Sequence, residues 1–362
     1  MKDELTRRGF ITLAGGAVAS AAIGGVKGAV TQPAMTWGVL IHLGMNQWHT
    51  HEMSVIKRQG VWKGIPDDEY LAHIRSQYEI ADHVRFDEAV WREVSENYAR
   101  NGINTIILDL GEAVVYPSHP ELAVKGSWPV SRLRTELDRL RGLGFEVLPK
   151  LNFSSMHCAW LGDYARMVSS KPYYRVCADL IRDVSEMFDN PRYFHLGLDE
   201  EKANFHTCCD FVTVRRNDLW WHDVNFLMDE VRRYGARPMM WIDEIARNPE
   251  KTHAFERMRR DAVYMPWYYD DVFDPAKGWE VRAEKGIAES GFDVMPCGSL
   301  CFFTPDNMER HVKFALDHLP RERVKGFLCA PWLETCAYFK PWLIRNGEAV
   351  ARARRLWEAA AK

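Results

Sequence analysis

The chain has 362 residues and a formal charge of −3, with 47% hydrophobic and 27% charged residues. That balance is globular and supplies no basic surface for nucleic acid, so no nucleic-acid partner is expected. The length suits one large barrel domain, since such barrels run to about 250 residues before loop insertions. Fourteen tryptophans offer flat apolar faces of the kind that stack on sugar rings, and serve equally as core filler.

Taken in order, the first segment reads as an address rather than as fold. Thr6-Arg7-Arg8-Gly9-Phe10-Ile11 precedes an uncharged run of small and apolar residues from Thr12 to Val26. This resembles a twin-arginine export signal, read by the translocation machinery. Residues 1–30 are therefore set apart from 31–362, the expected catalytic domain. No later run reaches the ~20 apolar residues of a membrane span, so the mature protein is expected to be periplasmic or secreted, without a stable span. The eight cysteines lack paired C-x-x-C spacing, which argues against a zinc ribbon or a thioredoxin motif.

Trp37 to Gly44 has the apolar run and glycine stop of a buried strand. A long insertion from Met45 to about Phe86 follows, carrying Trp48, His49, His51, Trp62 and Tyr70; loops this long are usually functional. Asp87 then caps a helix to about Arg100, with Val90, Trp91, Val94 and Tyr98 on one face. From there the pattern alternates. Strands are expected at Ile103–Leu110, Phe145–Phe153, Tyr193–Asp199, Arg237–Asp243, Ala262–Trp267, Phe292–Cys297 and Lys325–Pro331, each followed by a helix. Eight such units predict an α/β fold, a (β/α)8 TIM barrel with a long insertion after the first strand. The rival doubly wound sheet lacks its Gly-rich phosphate turn here.

Polar residues gather where these strands end, which is where parallel barrels present chemistry. The second strand ends at Asp109 and Glu112, the third passes through Lys150 and Asn152, and the fourth closes on Asp199, Glu200 and Glu201. The fifth ends at Asp243 and Glu244, the sixth at Trp267, Tyr268, Tyr269 and Asp270, the eighth at Trp332 and Glu334. Adjacent acids raise each other's proton affinity, so one can stay protonated near neutral pH. Acids and aromatics on one face suit hydrolysis of a glycosidic bond, which needs a proton donor, a group for developing positive charge, and stacking surfaces.

His195-x-Gly197-x-Asp199-Glu200 resembles the His-x-Gly-Gly-Asp-Glu motif of glycoside hydrolase family 20, the β-N-acetylhexosaminidases. Met239-Met240-Trp241-Ile242-Asp243-Glu244-Ile245 is similar to that family's fifth-strand Trp-Asp-Glu-Ile segment, and Trp332-Leu333-Glu334 to its final Trp-x-Glu. Leu148-Pro149-Lys150-Leu151-Asn152, with His157 beyond, echoes its Pro-Glu-Ile-Asp-x-Pro-Gly-His segment. The resemblance implies a carbohydrate substrate, no cofactor and no metal. It implies substrate-assisted chemistry, in which the sugar's own 2-acetamido oxygen attacks the anomeric carbon. Glu200 would then be the acid/base and Asp199 would orient the acetamido group. Trp241, Trp267 and Trp332 would wall the acetamido pocket and Glu334 would bind sugar hydroxyls, with His42, Asn152, His157, His195, Asp243, Glu244 and Tyr268 as further substrate contacts. Asp199 and Glu200 can converge only if the chain turns there, since successive strand residues face opposite sides. The chain departs from the pattern in Leu198, which stands where the family has glycine, in Lys150 and Asn152, which replace acids, and in having no arginine just after the first strand.

Three alternatives stay open on the residues alone. A two-carboxylate glycosidase would pair Glu200 with Asp243, Glu244 or Glu334, the separation of the two carboxyls deciding the outcome. A metal-dependent hydrolase would use His42, His49 and His51. A non-catalytic carbohydrate-binding barrel would keep the tryptophans without needing Asp beside Glu.

Overall fold

Short apolar runs of β-branched and long aliphatic residues make parallel strands that are covered on both faces. In the computed structural model these are β1 (Thr36–His42), β2 (Thr105–Asp109), β3 (Glu146–Lys150), β4 (Tyr193–His195), β5 (Arg237–Trp241), β6 (Val263–Met265), β7 (Asp293–Val294), β8 (Cys297–Gly298) and β9 (Gly326–Cys329). They form one parallel sheet in the order β7-β6-β5-β4-β3-β2-β1-β9-β8. The structure describes residues 35–45, 68, 71–72, 80–203, 211–247, 254–300 and 305–360, within one unit, Met35–Lys362. The expected export segment lies outside the described residues, as do Trp48, His49, His51, Trp62 and Tyr70 of the insertion.

β7 and β8 are two pieces of the expected seventh strand, parted at Met295-Pro296. Proline has no N–H to donate to a ladder, so pairing is interrupted there. The pieces still join their neighbours: β7 pairs with β6 and β8 with β9, while single bridges Trp267↔Cys297 and Val294↔Val324 complete the seam. The sheet thus closes as the expected barrel.

Between the strands run α1 (Glu88–Arg100), α2 (Val130–Gly142), α3 (Lys171–Met187), α4 (Asn217–Arg233), α5 (Asp243–Arg247), α6 (Ala254–Arg257), α7 (Trp279–Glu289), α8 (Asn307–His318) and α9 (Lys340–Ala359). The Asp87 carboxylate accepts from the backbone N–H of Ala89 and Val90, which satisfies two otherwise unpaired donors and starts α1 where expected. Among the described residues no helix is long and apolar enough to cross a membrane.

The period-two alternation of strands explains what lies inside the barrel. Leu40, Ile107, Leu148, Tyr193, Met239 and Leu328 fill its interior, while Val39, Ile41, Ile106, Leu108 and Val147 face the helices. Two residues further along the same face come His42, Asp109, Lys150, His195 and Trp241, all buried. A polar layer therefore rests on an apolar plug at the C-terminal ends of the strands. The expected fourth strand is four residues too long: pairing stops at His195, because Gly197 (φ 72°) and Leu198 (φ 70°) turn into the left-handed region.

Candidate active site

The turn after β4 is what brings two sequence-adjacent acids together. Gly197, Leu198 and Glu200 have φ of 72°, 70° and 58°, so Asp199 and Glu200 no longer point to opposite faces as strand residues would. A left-handed leucine costs about 1–2 kcal/mol; Leu198 is fully buried, and burying such a side chain returns roughly 1.5–3 kcal/mol. The balance lets leucine stand where a glycine would be conformationally easier. The turn is also clamped by polar contacts. His195 Nδ1 accepts from Gly197 N–H at 2.9 Å, Asn152 Oδ1 accepts from Leu198 N–H at 3.3 Å, and Ser154 Oγ donates to the Asp199 carbonyl. Gly197 has no substitute: a Cβ there would lie 2.0 Å from Asn152 Oδ1. Gly197→Ala is expected to destabilise the fold by more than about 2 kcal/mol, the left-handed cost plus the clash, and to lower turnover. Urea unfolding and rate measurement check this; an alanine variant of unchanged stability would contradict the turn.

His157 joins the pair. Its Nε2 is 3.3 Å from Asp199 Oδ2 and 3.3 Å from Glu200 Oε2. Burial lowers the affinity of an imidazole for its proton, but the two carboxylates outweigh it and raise His157 to about 9. Burial pushes the Asp199 carboxyl up; His157, Lys150 and the Asn152 amide, which donates at 2.9 Å, outweigh that and hold it well below the usual carboxylate range. Asp199 is therefore a buried, ionised acceptor. The Glu200 side chain keeps 21% of its surface exposed, which leaves it open to a reacting group. His157, Asp199 and Glu200 are also the set of ligand-type side chains, among the described residues, that converge closely enough to hold a metal ion.

Beneath them runs the buried chain His42–Asp109–Lys150. His42 Nδ1 is 3.1 Å from Asp109 Oδ2, and Lys150 Nζ pairs with the same oxygen. Burial would raise Asp109, but Lys150 and His42 hold it low; burial lowers His42 against the pull of Asp109. Burial and the Lys150 charge push His195 down to about 3, so His195 is neutral, with Nε2 carrying the proton because Nδ1 is an acceptor.

The tryptophans form one wall. Trp241 packs 4.5 Å from the His195 ring and 6.0 Å from Trp332, and Trp332 lies 5.5 Å from His42. Trp332 Nε1 donates to the Tyr269 hydroxyl at 2.9 Å, and Tyr269 stacks on Trp267 at 5.1 Å. Tyr269, not Tyr268, is thus the tyrosine of the cluster: Tyr268 turns away, its hydroxyl donating to the Val272 carbonyl at 3.0 Å. Past Met265 the sixth strand has ended, so alternation no longer says which tyrosine faces in.

The other acids divide by environment. Asp243 Oδ2 accepts from Trp267 Nε1 at 2.9 Å, and burial with the nearby charges of Asp199 and Glu200 pushes its carboxyl well above the usual range. Burial and the charge of Glu201 push Glu244 up to about 7, so Glu244 answers to Glu201 rather than to Asp199 and Glu200. Glu334 is held by Arg85 at 2.9 Å. Arg85 sits at the returning end of the long insertion, next to the Phe86↔Thr335 bridge. Its distance in sequence from the first strand is why no arginine is expected beside Glu334 from the sequence. Glu201, third of the acid run, is fully buried against Arg215.

No protein-family model and no curated protein matches this sequence. Solved structures do. Over 87% of this chain and 65% of that one, it superposes on a β-N-acetylhexosaminidase from Bacteroides fragilis NCTC 9343 with a TM-score of 0.58 at 13% identity. Over 91% and 69%, it superposes on the Streptomyces plicatus N-acetyl-β-hexosaminidase in complex with Thio-NAglucal, with a TM-score of 0.56 at 14% identity. The chain has the barrel fold of these enzymes. A GH20 exo-β-N-acetylglucosaminidase from Vibrio harveyi aligns similarly, at a TM-score of 0.55 and 14% identity over 77% of this chain and 56% of that one. The chain spans less than two thirds of the Bacteroides and Vibrio proteins.

Proposed function

We propose that the protein is a glycosidase that removes terminal β-linked 2-acetamido-2-deoxy sugars by substrate-assisted, retaining catalysis. The observation that carries this reading is the convergence of Asp199 and Glu200 on His157 through a left-handed turn. The acetamido oxygen attacks the anomeric carbon, the glycosidic bond breaks, and Glu200 gives its proton to the leaving oxygen. Asp199, ionised throughout, accepts the acetamido N–H and stabilises the positive charge of the oxazolinium. Glu200 then takes a proton from the water that opens that ring. A preorganised, desolvated carboxylate beside a developing cation is the kind of electrostatic stabilisation that dominates many enzymes. Trp241, Trp267 and Trp332 offer apolar walls for the acetamido methyl, and the Arg85–Glu334 pair offers donors and acceptors for ring hydroxyls.

A second reading has one observation in its favour. Asp243 is a carboxyl whose proton affinity is raised by burial and by the charges of Asp199 and Glu200, the direction that the acid of a two-carboxylate glycosidase needs. Aryl β-glycosides with and without the 2-acetamido group separate the two. Turnover confined to the acetamido sugars is expected; equal turnover of plain 2-hydroxyl sugars would sink neighbouring-group catalysis and favour Asp243. Silence on every glycoside would overturn the glycosidase reading itself.

A further inference from the structure

The acid Glu200 is followed at once by a carboxylate that has no access to substrate. Glu201 is 1% exposed, and its two oxygens meet the guanidinium of Arg215, with Nε to Oε2 at 3.1 Å and Nη2 to Oε1. Glu201 Oε1 also accepts the Ser155 N–H at 2.9 Å. Arg215, itself 1% exposed, reaches two further elements. Nη2 donates to the Phe153 carbonyl at 2.7 Å, and Nη1 lies 3.3 Å from Asp223 Oδ2 on α4. Asp223 is tied in turn to α3 and the turn before it, accepting from Tyr174 Oη at 2.5 Å and Ser169 Oγ at 2.6 Å.

The two segments that Arg215 grips are the two that carry the site. Residues 152–157 supply Asn152, Ser154 and His157, and residues 197–201 supply the left-handed turn with Asp199 and Glu200. A planar guanidinium presents five donors in a fixed fork, so one side chain holds a carboxylate after the turn and a carbonyl of the neighbouring strand end in fixed relation. A lysine keeps the charge but not the fork.

We propose that Arg215 is a positioning residue for the acid Glu200: by anchoring Glu201 it fixes the orientation of the turn that aims Glu200 at the leaving oxygen. This rests on the glycosidase reading above. Misplacement of a catalytic group by about 1 Å costs on the order of 100-fold, and the loss falls on the step that needs the proton. A leaving group that departs without protonation does not need a well-aimed acid; a poor one does.

The experiment compares wild type with Arg215→Lys and, as a variant that leaves the arginine in place, Glu201→Gln, on aryl N-acetyl-β-glucosaminides. Dinitrophenol serves as the good leaving group and unsubstituted phenol as the poor one. Both variants are expected to lose about 10- to 100-fold in kcat on the phenyl glycoside and several-fold less on the dinitrophenyl one, with KM little changed. An equal loss on both glycosides, or a change confined to KM, would overturn the assignment. A second readout does not depend on turnover. Amide hydrogen exchange at Leu198 and Lys202, whose N–H groups bond to Asn152 Oδ1 and to the Glu200 carbonyl, is expected to accelerate in both variants while α1 and α9 keep their protection. Unchanged protection at those two amides refutes the anchoring role even for a protein that hydrolyses none of these glycosides. A wild type inactive on both glycosides, with accelerated exchange in the variants, would overturn the glycosidase reading and keep the anchor.

Discussion

Glu200→Gln is expected to lower kcat by about 10²–10⁴-fold, the range contributed by a positioned general acid–base, while KM changes little. Glutamine keeps the volume and hydrogen-bonding reach of the side chain but has no proton to give. Two features of the site make Glu200 the residue where this loss should concentrate. Its side chain is the exposed member of the Asp199–His157–Glu200 cluster, and Asp199 beside it is held in the ionised form, so Asp199 cannot serve as the donor. The loss should be steepest for poor leaving groups, and a dinitrophenyl glycoside should recover much of it in the first half-reaction. Asp243→Asn gives the contrast. Under substrate-assisted catalysis it perturbs the Trp267 contact and costs far less than Glu200→Gln. A Glu200→Gln enzyme within a few-fold of wild type on a phenyl glycoside would remove Glu200 from the chemistry and leave Asp243 as the acid.

The same cluster separates what the chain spells out locally from what only its folding creates. Barrel strands are buried on both faces and read as apolar runs, so their order, number and approximate places are legible in the sequence. Asp199, Glu200 and His157 are legible as well, because they stand in motif-like positions at strand ends. Leu198 is not legible as a left-handed residue. Its conformation is held from the segment after β3, where Asn152 Oδ1 accepts the Leu198 N–H and Ser154 Oγ donates to the carbonyl of the following Asp199, and nothing local demands it. Arg85 reaches Glu334 only after the insertion returns along Phe86 and Thr335. Arg215 is indistinguishable in sequence from its neighbour Arg216; only the burial of Glu201 and Asp223 around it separates them. The division of acids into Asp199 with lowered proton affinity, Asp243 with raised proton affinity and anchored Glu201 is likewise a property of three-dimensional neighbours. Charge pattern along the chain counts all three alike.

His157 makes the division testable by pH. Its proton affinity is raised from an ordinary value of about 6.5 to about 9 in the folded state, so the native protein holds this proton more tightly than the unfolded chain. Below pH 6.5 both states are protonated and the stabilisation is fully present. Between 6.5 and about 9 the unfolded chain releases its proton while the folded one keeps it, so stability falls as pH rises, and above about 9 the contribution is gone. A shift of this size corresponds to about 3 kcal/mol, applicable because the imidazole is buried. Asp199 works in the opposite window, its depressed affinity contributing above the usual carboxylate range and failing only in acid. Urea unfolding of wild type and His157→Gln at a series of pH values follows the histidine between pH 6 and pH 10, since titrations of groups not in contact with His157 are shared. The difference between the two proteins is expected to shrink by about 3 kcal/mol from pH 6 to pH 10. Parallel stability curves across that interval would mean that His157 is neutral between the carboxylates. Asp199 would then depend on Lys150 and the Asn152 amide alone to stay ionised.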